Sequence, residues 1–299
     1  MGSVIQGDPQ GVAPAADAGA HQTTWDRYKK NRAALLGLVL ITAMFILAIF
    51  APLLAPYSPY ENFKDGLTSI GAPVPPGPKF LLGTDDLGRD VLSRLIYASR
   101  ISLQVGLIAA LVSISVGTVF GVSAGYRGGW VDQVTMRITD VMLAFPFLLF
   151  VIMVVSTLKP SVTAIYIAIG LLGWPNIARV ARGQTLSVAQ NAYVESARAL
   201  GASSWRIILR HIIPNIMGPV IVFGTLRVGN FIIMEGALSY LGVGVPPPIP
   251  SWGSMIYTGQ QYYQTAPWLI IFPGLMITLT VIGFSLLGDG LDDALNPRN

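Results

Sequence analysis

The sequence predicts an all-α membrane protein with six transmembrane helices, and three observations carry that prediction. Of 299 residues, 53% are apolar and only 11% are charged, whereas soluble domains carry about 25% charged residues. The charges bracket apolar stretches long enough to cross a bilayer, which takes about 20 helical residues. The first such stretch follows a basic cluster, Arg27, Lys29, Lys30 and Arg32, rather than opening the chain as a secretory signal would, so it stays as an anchor.

Residues 1–32 are rich in Gly, Ala, Pro and Gln without apolar periodicity and read as a disordered tail. The first transmembrane helix occupies 33–55, and 56–100 forms an outer loop. The remaining spans are charge-free intervals, because an ionised group at the bilayer centre costs at least ~2.5 kcal/mol. They run from Ile101 to Ala124, Val141 to Leu158, Val162 to Ile177, Ile212 to Leu241 and Trp268 to Leu287. Lys159-Pro160 is then a tight hairpin tip. The core is 101–288, including a long loop at 182–211, and 289–299 is a short C-terminus. With the N-terminus inside, twelve Lys and Arg fall on the cytoplasmic side and six outside, with Arg227 within a span; the positive-inside rule and the even helix count place both termini in the cytoplasm.

In the outer loop, Val91, Leu92, Leu95 and Ile96 recur at helical spacing, as in a short helix lying on the membrane surface. Asp85, Asp86 and Asp90 lack the alternating ligands of a calcium loop, and helix capping by Thr84 or Asp85 is the better reading. The 182–211 loop holds two short helices, the first ending at Gly201 and the second capped by Ser203 or Ser204. Val194, Ala197 and Leu200 with Trp205, Ile208, Leu209 and Ile212 make apolar faces larger than a connector needs, to be covered by a partner or by the underside of the membrane domain. Within the fifth span, Arg227 and Glu235 lie roughly 80° and 12 Å apart on a helix, too far to pair. Either lines a pathway, or Glu235 bonds neighbouring backbone and Arg227 meets a sister subunit. Arg137 and Asp140 read as a structural i,i+3 pair, as do Glu195 and Arg198 if no partner engages them.

Several functions are excluded. Cysteine is absent, which removes disulfides and thiolate chemistry, and two histidines, His21 and His211, build neither a metal cage nor a hydrolytic triad. No Gly-Lys dipeptide occurs, so there is no Walker A phosphate loop. No metal site and no enzyme activity are expected. The mild +4 charge lacks the basic stripe of a nucleic-acid binder. An ion-coupled secondary transporter is not excluded and stays as the remote alternative; it would usually show inverted repeats and midplane titratable groups, and no repeat is visible.

Glu195-Ser196-Ala197, then Gly201, then Ile213-Pro214 resembles the EAA-x3-G signature of bacterial ABC importer permease subunits, with Ser196 in place of the usual Ala. Gly83 to Arg94, Leu238 to Val245, Pro250-Ser251-Trp252-Gly253 and Ala294-Leu295-Asn296-Pro297-Arg298 are similar to the peptide and nickel permease subfamily, in its second subunit type. The resemblance implies a type I importer permease fold with cytoplasmic coupling helices, in a bacterial cytoplasmic membrane. It implies a homologous permease subunit as heterodimer partner, two cytoplasmic ATPase subunits that use ATP and Mg, and an extracytoplasmic binding protein. No cofactor belongs to this chain, and the bilayer rather than nucleic acid surrounds it. The cargo would be a dipeptide or oligopeptide, alternatively a nickel chelate or haem. Glu195, Ser196, Ala197, Leu200, Gly201, Trp205 and Arg206 would couple to the ATPase, and Arg227, Asn230 and Glu235 would line the pathway.

Overall fold

The computed structural model describes residues 28–158 and 161–295; the expected tail up to residue 27, the tip at Lys159-Pro160 and residues 296–299 lie outside the described residues. Helix α1 (Arg32–Ile49) starts at Asn31, whose side-chain oxygen accepts from the backbone N–H groups of Ala33 (3.0 Å) and Ala34 (3.1 Å). Helix α2 (Val91–Arg127) starts at Asp90, which accepts from the Ser93 N–H at 2.7 Å, and stops at Gly128, whose φ of 63° suits a residue without a β-carbon. Two expectations change here. The cap is Asp90, not Thr84 or Asp85, and the helix expected on the membrane surface is the opening of α2 itself. Arg100 does not end a span: its guanidinium reaches across to α1 and donates to the carbonyls of Ala48 (2.6 Å) and Ile49 (3.1 Å), which have no donor within their own helix.

The third span is broken. Helices α3 (Gly129–Ala144) and α4 (Phe147–Thr157) meet at 90° across Phe145-Pro146, because proline biases the preceding residue to extended backbone and Phe145 adopts φ −84°, ψ 140°. Helix α5 (Val162–Ala189) runs past Arg179 and Arg182, so the first residues of the expected 182–211 loop are helical. Both arginines are neutralised from α3: Arg182 holds Asp132 through Nε (2.5 Å) and Nη2 (2.6 Å), and Arg179 holds Asp140 at 2.6 Å. Asp140 therefore pairs across helices and not with Arg137. After α6 (Ala192–Ala199), α7 (Ser204–Tyr240) includes a wide π-type turn at Ile208–Ile212, directly before Pro214, whose missing N–H leaves the Arg210 carbonyl without its i+4 donor. A capping box between Ser251 and Ser254 starts α8 (Trp252–Gly259). Helix α9 (Trp268–Leu295) continues through Asp289, Asp292 and Asp293, so the short C-terminus expected from 289 is helical as far as 295, where Asn31 donates to Asp293 at 3.0 Å. Among the described residues, helices α1, α2, α5, α7 and α9 are each long and apolar enough to span a membrane, and the count reaches the expected six if the bent α3–α4 pair is taken as one span.

Helices α2 and α5 form the central seam and run parallel, since successive contacts advance together along both. Gly117, Gly121 and Gly125 recur every four residues on one face of α2; an added β-carbon would sit 2.6 Å from Ile177 Cβ, 2.5 Å from the Ala178 carbonyl oxygen and 2.9 Å from that of Arg182. Between apolar helices in lipid, association depends on this close backbone approach. Gly121→Val is therefore expected to destabilise the bundle by about 1–3 kcal/mol or more through overpacking, read as a lower melting temperature of the detergent-purified protein; an unchanged melt would show the seam to be slack. Helix α7 packs antiparallel to α2, with Gly106 on Ile232 and Gly224 on Ile114, and Gly290 of α9 packs on Ala34 of α1. The described chain ends and the α5–α6–α7 elbow thus share one end of the bundle, opposite the 55–90 segment.

That segment is a folded cap. Tyr57, Phe63 and Phe80 pack as an aromatic cluster with ring centroids 4.9–6.0 Å apart. Asp85 is its electrostatic centre, accepting from the N–H groups of Leu87 (2.9 Å) and Arg89 (3.0 Å) and from Arg89 Nε (2.7 Å), and ion-paired with Arg94, whose Nε lies 3.2 Å away. Both carboxylate oxygens of Asp85 are engaged by these groups, and Asp90 accepts from the Ser93 N–H and hydroxyl.

Candidate coupling elbow and pathway cleft

The elbow between α5 and α7 is built to be two-faced. Gly201 takes φ 79°, a conformation that suits glycine, and this reverses the chain at the end of α6; Ser203 then accepts from the Arg206 N–H at 3.4 Å to open α7. Val194, Ile207, Ile212 and Ile216 turn inward and are fully buried against Val122, Ile177, Ala181 and Val188. The opposite face carries Tyr193, Leu200, Trp205 and Leu209, at 44%, 88%, 66% and 60% exposure. The apolar faces expected from the sequence are thus divided: the membrane domain covers Val194 and Ile212 and packs on Ala197 and Ile208, and Leu200, Trp205 and Leu209 remain open. Glu195, Ser196 and Arg206 are exposed on the same elbow. Arg198 lies over the Tyr126 ring, 5.7 Å from its centroid, rather than pairing with Glu195.

Midway along α7, Arg227 and Asn230 line a cleft of about 250 Å³ together with Asn176 of α5 and Phe145, Phe147 and Met142 from the α3–α4 bend. The Arg227 guanidinium sits 5.0 Å from the Phe223 ring centroid, and among the described residues no carboxylate lies within ion-pair distance of it. Glu235 does not join them. It is 0% exposed and accepts from Ser239 Oγ (2.8 Å), Ser251 Oγ (2.8 Å) and Ser102 Oγ (3.3 Å). Its expected place on a pathway, and the alternative of bonding neighbouring backbone, both give way to a hydroxyl-bonded hub. Three hydrogen bonds to the carboxylate offset its burial, and the hub ties α2, α7 and the 241–251 loop together. Trp252 completes it, donating its backbone N–H to Ser102 Oγ (3.2 Å) and its indole to the Leu95 carbonyl (3.3 Å).

Residues 117–299 match the family model described as the binding-protein-dependent transport system inner membrane component, and residues 21–71 match the N-terminal TM domain of oligopeptide transport permease C. The chain belongs to this permease family. It is 42% identical over 270 residues to a dipeptide transport system permease protein of Alkalihalophilus pseudofirmus, covering 90% of this chain and 87% of that one. It is 40% identical to an oligopeptide transport system permease protein of Bacillus subtilis (91% and 88% covered) and 39% identical to a glutathione transport system permease protein of Pectobacterium atrosepticum (92% and 90%). The fold is similar to that of a chain in the structure of inward-facing conformations of the MetNI methionine ABC transporter, with a TM-score of 0.55 at 15% identity, covering 66% of this chain and 93% of that one.

As a permease of this family the chain is a multi-pass component of the inner membrane and not an enzyme; ATP hydrolysis in an ABC importer resides in a separate subunit. The permease elements that sequence reasoning passed over had signals of unequal strength. The four-residue spacing of Gly117, Gly121 and Gly125 was visible in the sequence. Asn176, which brings α5 into the cleft, carries no local signal, and neither do the three serines that meet on Glu235.

Proposed function

We propose that this permease subunit forms half of the translocation pathway of an importer for dipeptides or oligopeptides, pairs with a homologous permease subunit, receives cargo from an extracytoplasmic binding protein, and docks two ATPase subunits that use ATP and Mg. The relatives whose names specify peptides support the cargo, at about 40% identity over nine-tenths of the chain. The observation that carries the proposal is the open apolar face of the elbow, Leu200, Trp205 and Leu209, sharing one bundle end with the described chain ends. The basic residues concentrate at that end, which supports its placement in the cytoplasm with both termini. Because the chain has no cysteine, Tyr60→Cys and Leu200→Cys probe this cleanly: an impermeant thiol reagent on intact cells is expected to label the first and not the second. Labelling only at Leu200→Cys would invert the topology.

The cleft of about 250 Å³ falls below the ~300–1,000 Å³ of a complete small-ligand site, which fits one wall of a pathway that a second subunit closes. Arg227, a cation without a carboxylate partner among the described residues, suits a peptide C-terminal carboxylate. Arg227→Ala is expected to lower peptide uptake into proteoliposomes roughly tenfold, the loss of one charge-assisted hydrogen bond, while the ATPase stays bound. Full uptake by the variant removes Arg227 from the pathway. Uptake of a nickel chelate or haem but of no peptide by the wild-type complex would overturn the assigned cargo.

A further inference from the structure

A groove of about 570 Å³ opens between α1 and α2 at the bundle end that carries the 55–90 cap. Its lining includes Phe45, Ile49, Leu103 and Leu107, with two polar side chains, Arg100 and Gln104. These two are four residues apart and so lie on one face of α2, one turn above the other. Arg100 commits Nε and Nη2 to the carbonyls at the end of α1, and its guanidinium also lies 5.8 Å from the Tyr97 ring centroid. Among the described residues its Nη1 has no hydrogen-bond acceptor, no carboxylate pairs with it, and the exposed amide of Gln104 makes no hydrogen bond.

The depth of these groups in the membrane follows from the length of α1. Its eighteen residues rise about 27 Å and one more apolar helical turn, Ala51–Leu54, follows, against ~30 Å of hydrocarbon, so the end of α1, which Arg100 grips, stands at the boundary between hydrocarbon and headgroups. Gln104 lies one turn deeper, where ester linkages begin. An amide left without a partner there is costly, and so is a cation without a counter-charge.

We propose that this groove binds one anionic phospholipid, with its phosphate on Arg100, an ester carbonyl on the Gln104 amide and an acyl chain along Phe45, Leu103 and Leu107. Charge selects the headgroup. The groove offers a cation and a neutral donor but no carboxylate, so the ammonium of a zwitterionic lipid finds no partner, while a net-negative lipid is fully matched. The bound lipid bridges α1 to α2.

Native mass spectrometry of the assembled transporter, titrated with phosphatidylglycerol or with phosphatidylcholine of the same chains, tests the site. Arg100→Ala also removes the cap of α1, so the test uses Gln104→Leu, which removes the amide donor to the ester without adding a partner for Arg100, and Leu107→Trp, which fills the groove; neither removes the Arg100 bonds to α1. The wild type is expected to hold one phosphatidylglycerol per copy of this chain in preference to phosphatidylcholine, and each variant to lose that one molecule, with affinity lower by about tenfold. Equal retention of the two lipids by the wild type, or unchanged phosphatidylglycerol affinity in either variant, overturns the site.

Discussion

Asp85→Asn is expected to destabilise the protein more than any other single change in the 55–90 cap. The carboxylate is buried between two buried arginines, Arg89 and Arg94, and it also closes the turn through the N–H groups of Leu87 and Arg89. Asparagine keeps the shape and one acceptor oxygen but removes the charge, leaving Asp86 at 3.7 Å as the carboxylate beside Arg89 and the Pro59 carbonyl at 3.0 Å as the other acceptor of Arg94. Removing one member of a buried ion cluster costs about 3–5 kcal/mol because the others stay buried and uncompensated. A fall in melting temperature on the order of 10 °C follows. Asp86→Asn is the internal control. Burial and then the neighbouring Asp85 push the Asp86 carboxyl above the usual carboxylate range, against the opposing pull of Arg89. A group whose folded pKa is raised binds its proton more tightly when folded, so its contribution is greatest at low pH and declines as pH rises through the interval between the ordinary and the raised value. Above that interval Asp86→Asn is expected to match or exceed the wild type in stability, and Asp85→Asn to fall below it. Equal melts for all three proteins at neutral pH would show that the cluster is solvated and that the cap owes its fold to the aromatic residues alone.

The contrast between neighbouring aspartates marks where sequence reading stops. Composition and charge-free intervals located the spans because the bilayer penalises each misplaced charge, and Gly201 was recognisable because the end of a helix needs a residue tolerant of positive φ. The same charge rule misplaced helix boundaries wherever a partner compensates the charge. Arg100 was read as the end of a helix and instead caps another one. Arg179 was read as bounding the fourth span and Arg182 as opening a loop; both lie within α5, paired with Asp140 and Asp132 from α3. Glu235 was read as facing a pathway because an intramembrane carboxylate is costly without partners. Its partners are hydroxyls, and Ser102 lies 133 residues away, a pairing that no local pattern announces. The Phe145-Pro146 break was passed over because the apolar run continues through it, although proline restricts its predecessor wherever it occurs.

At the elbow the expected effect is on coupling rather than on folding. Trp205 and Leu200 expose large apolar surface at 66% and 88%, and such residues, tryptophan above all, become binding hot spots when a partner desolvates them. Trp205→Ala is expected to remove about 2–4 kcal/mol of ATPase affinity, thirtyfold or more, so that the ATPase is lost on co-purification and uptake stops while the cap and cleft stay folded. Gly201→Val separates conformation from contact. Among the described residues, its two chain neighbours aside, no atom lies within 4 Å of a β-carbon placed at Gly201, whose φ is 79°, so the fold leaves room for a side chain there, and the strain of about 1–3 kcal/mol comes from the backbone. Asparagine tolerates that backbone conformation far better than valine. If the turn geometry is what transmits motion, Gly201→Asn should retain substrate-stimulated ATP hydrolysis and uptake that Gly201→Val loses. If close approach of the ATPase is what matters, both should fail together, with the binding protein still loading its ligand. Glu195→Ala, which removes one exposed charge, should do less than any of these. Normal ATPase retention and uptake in both Trp205→Ala and Gly201→Val would reduce the elbow to a connector between α5 and α7, and would leave its exposed apolar face without a physical reason to exist.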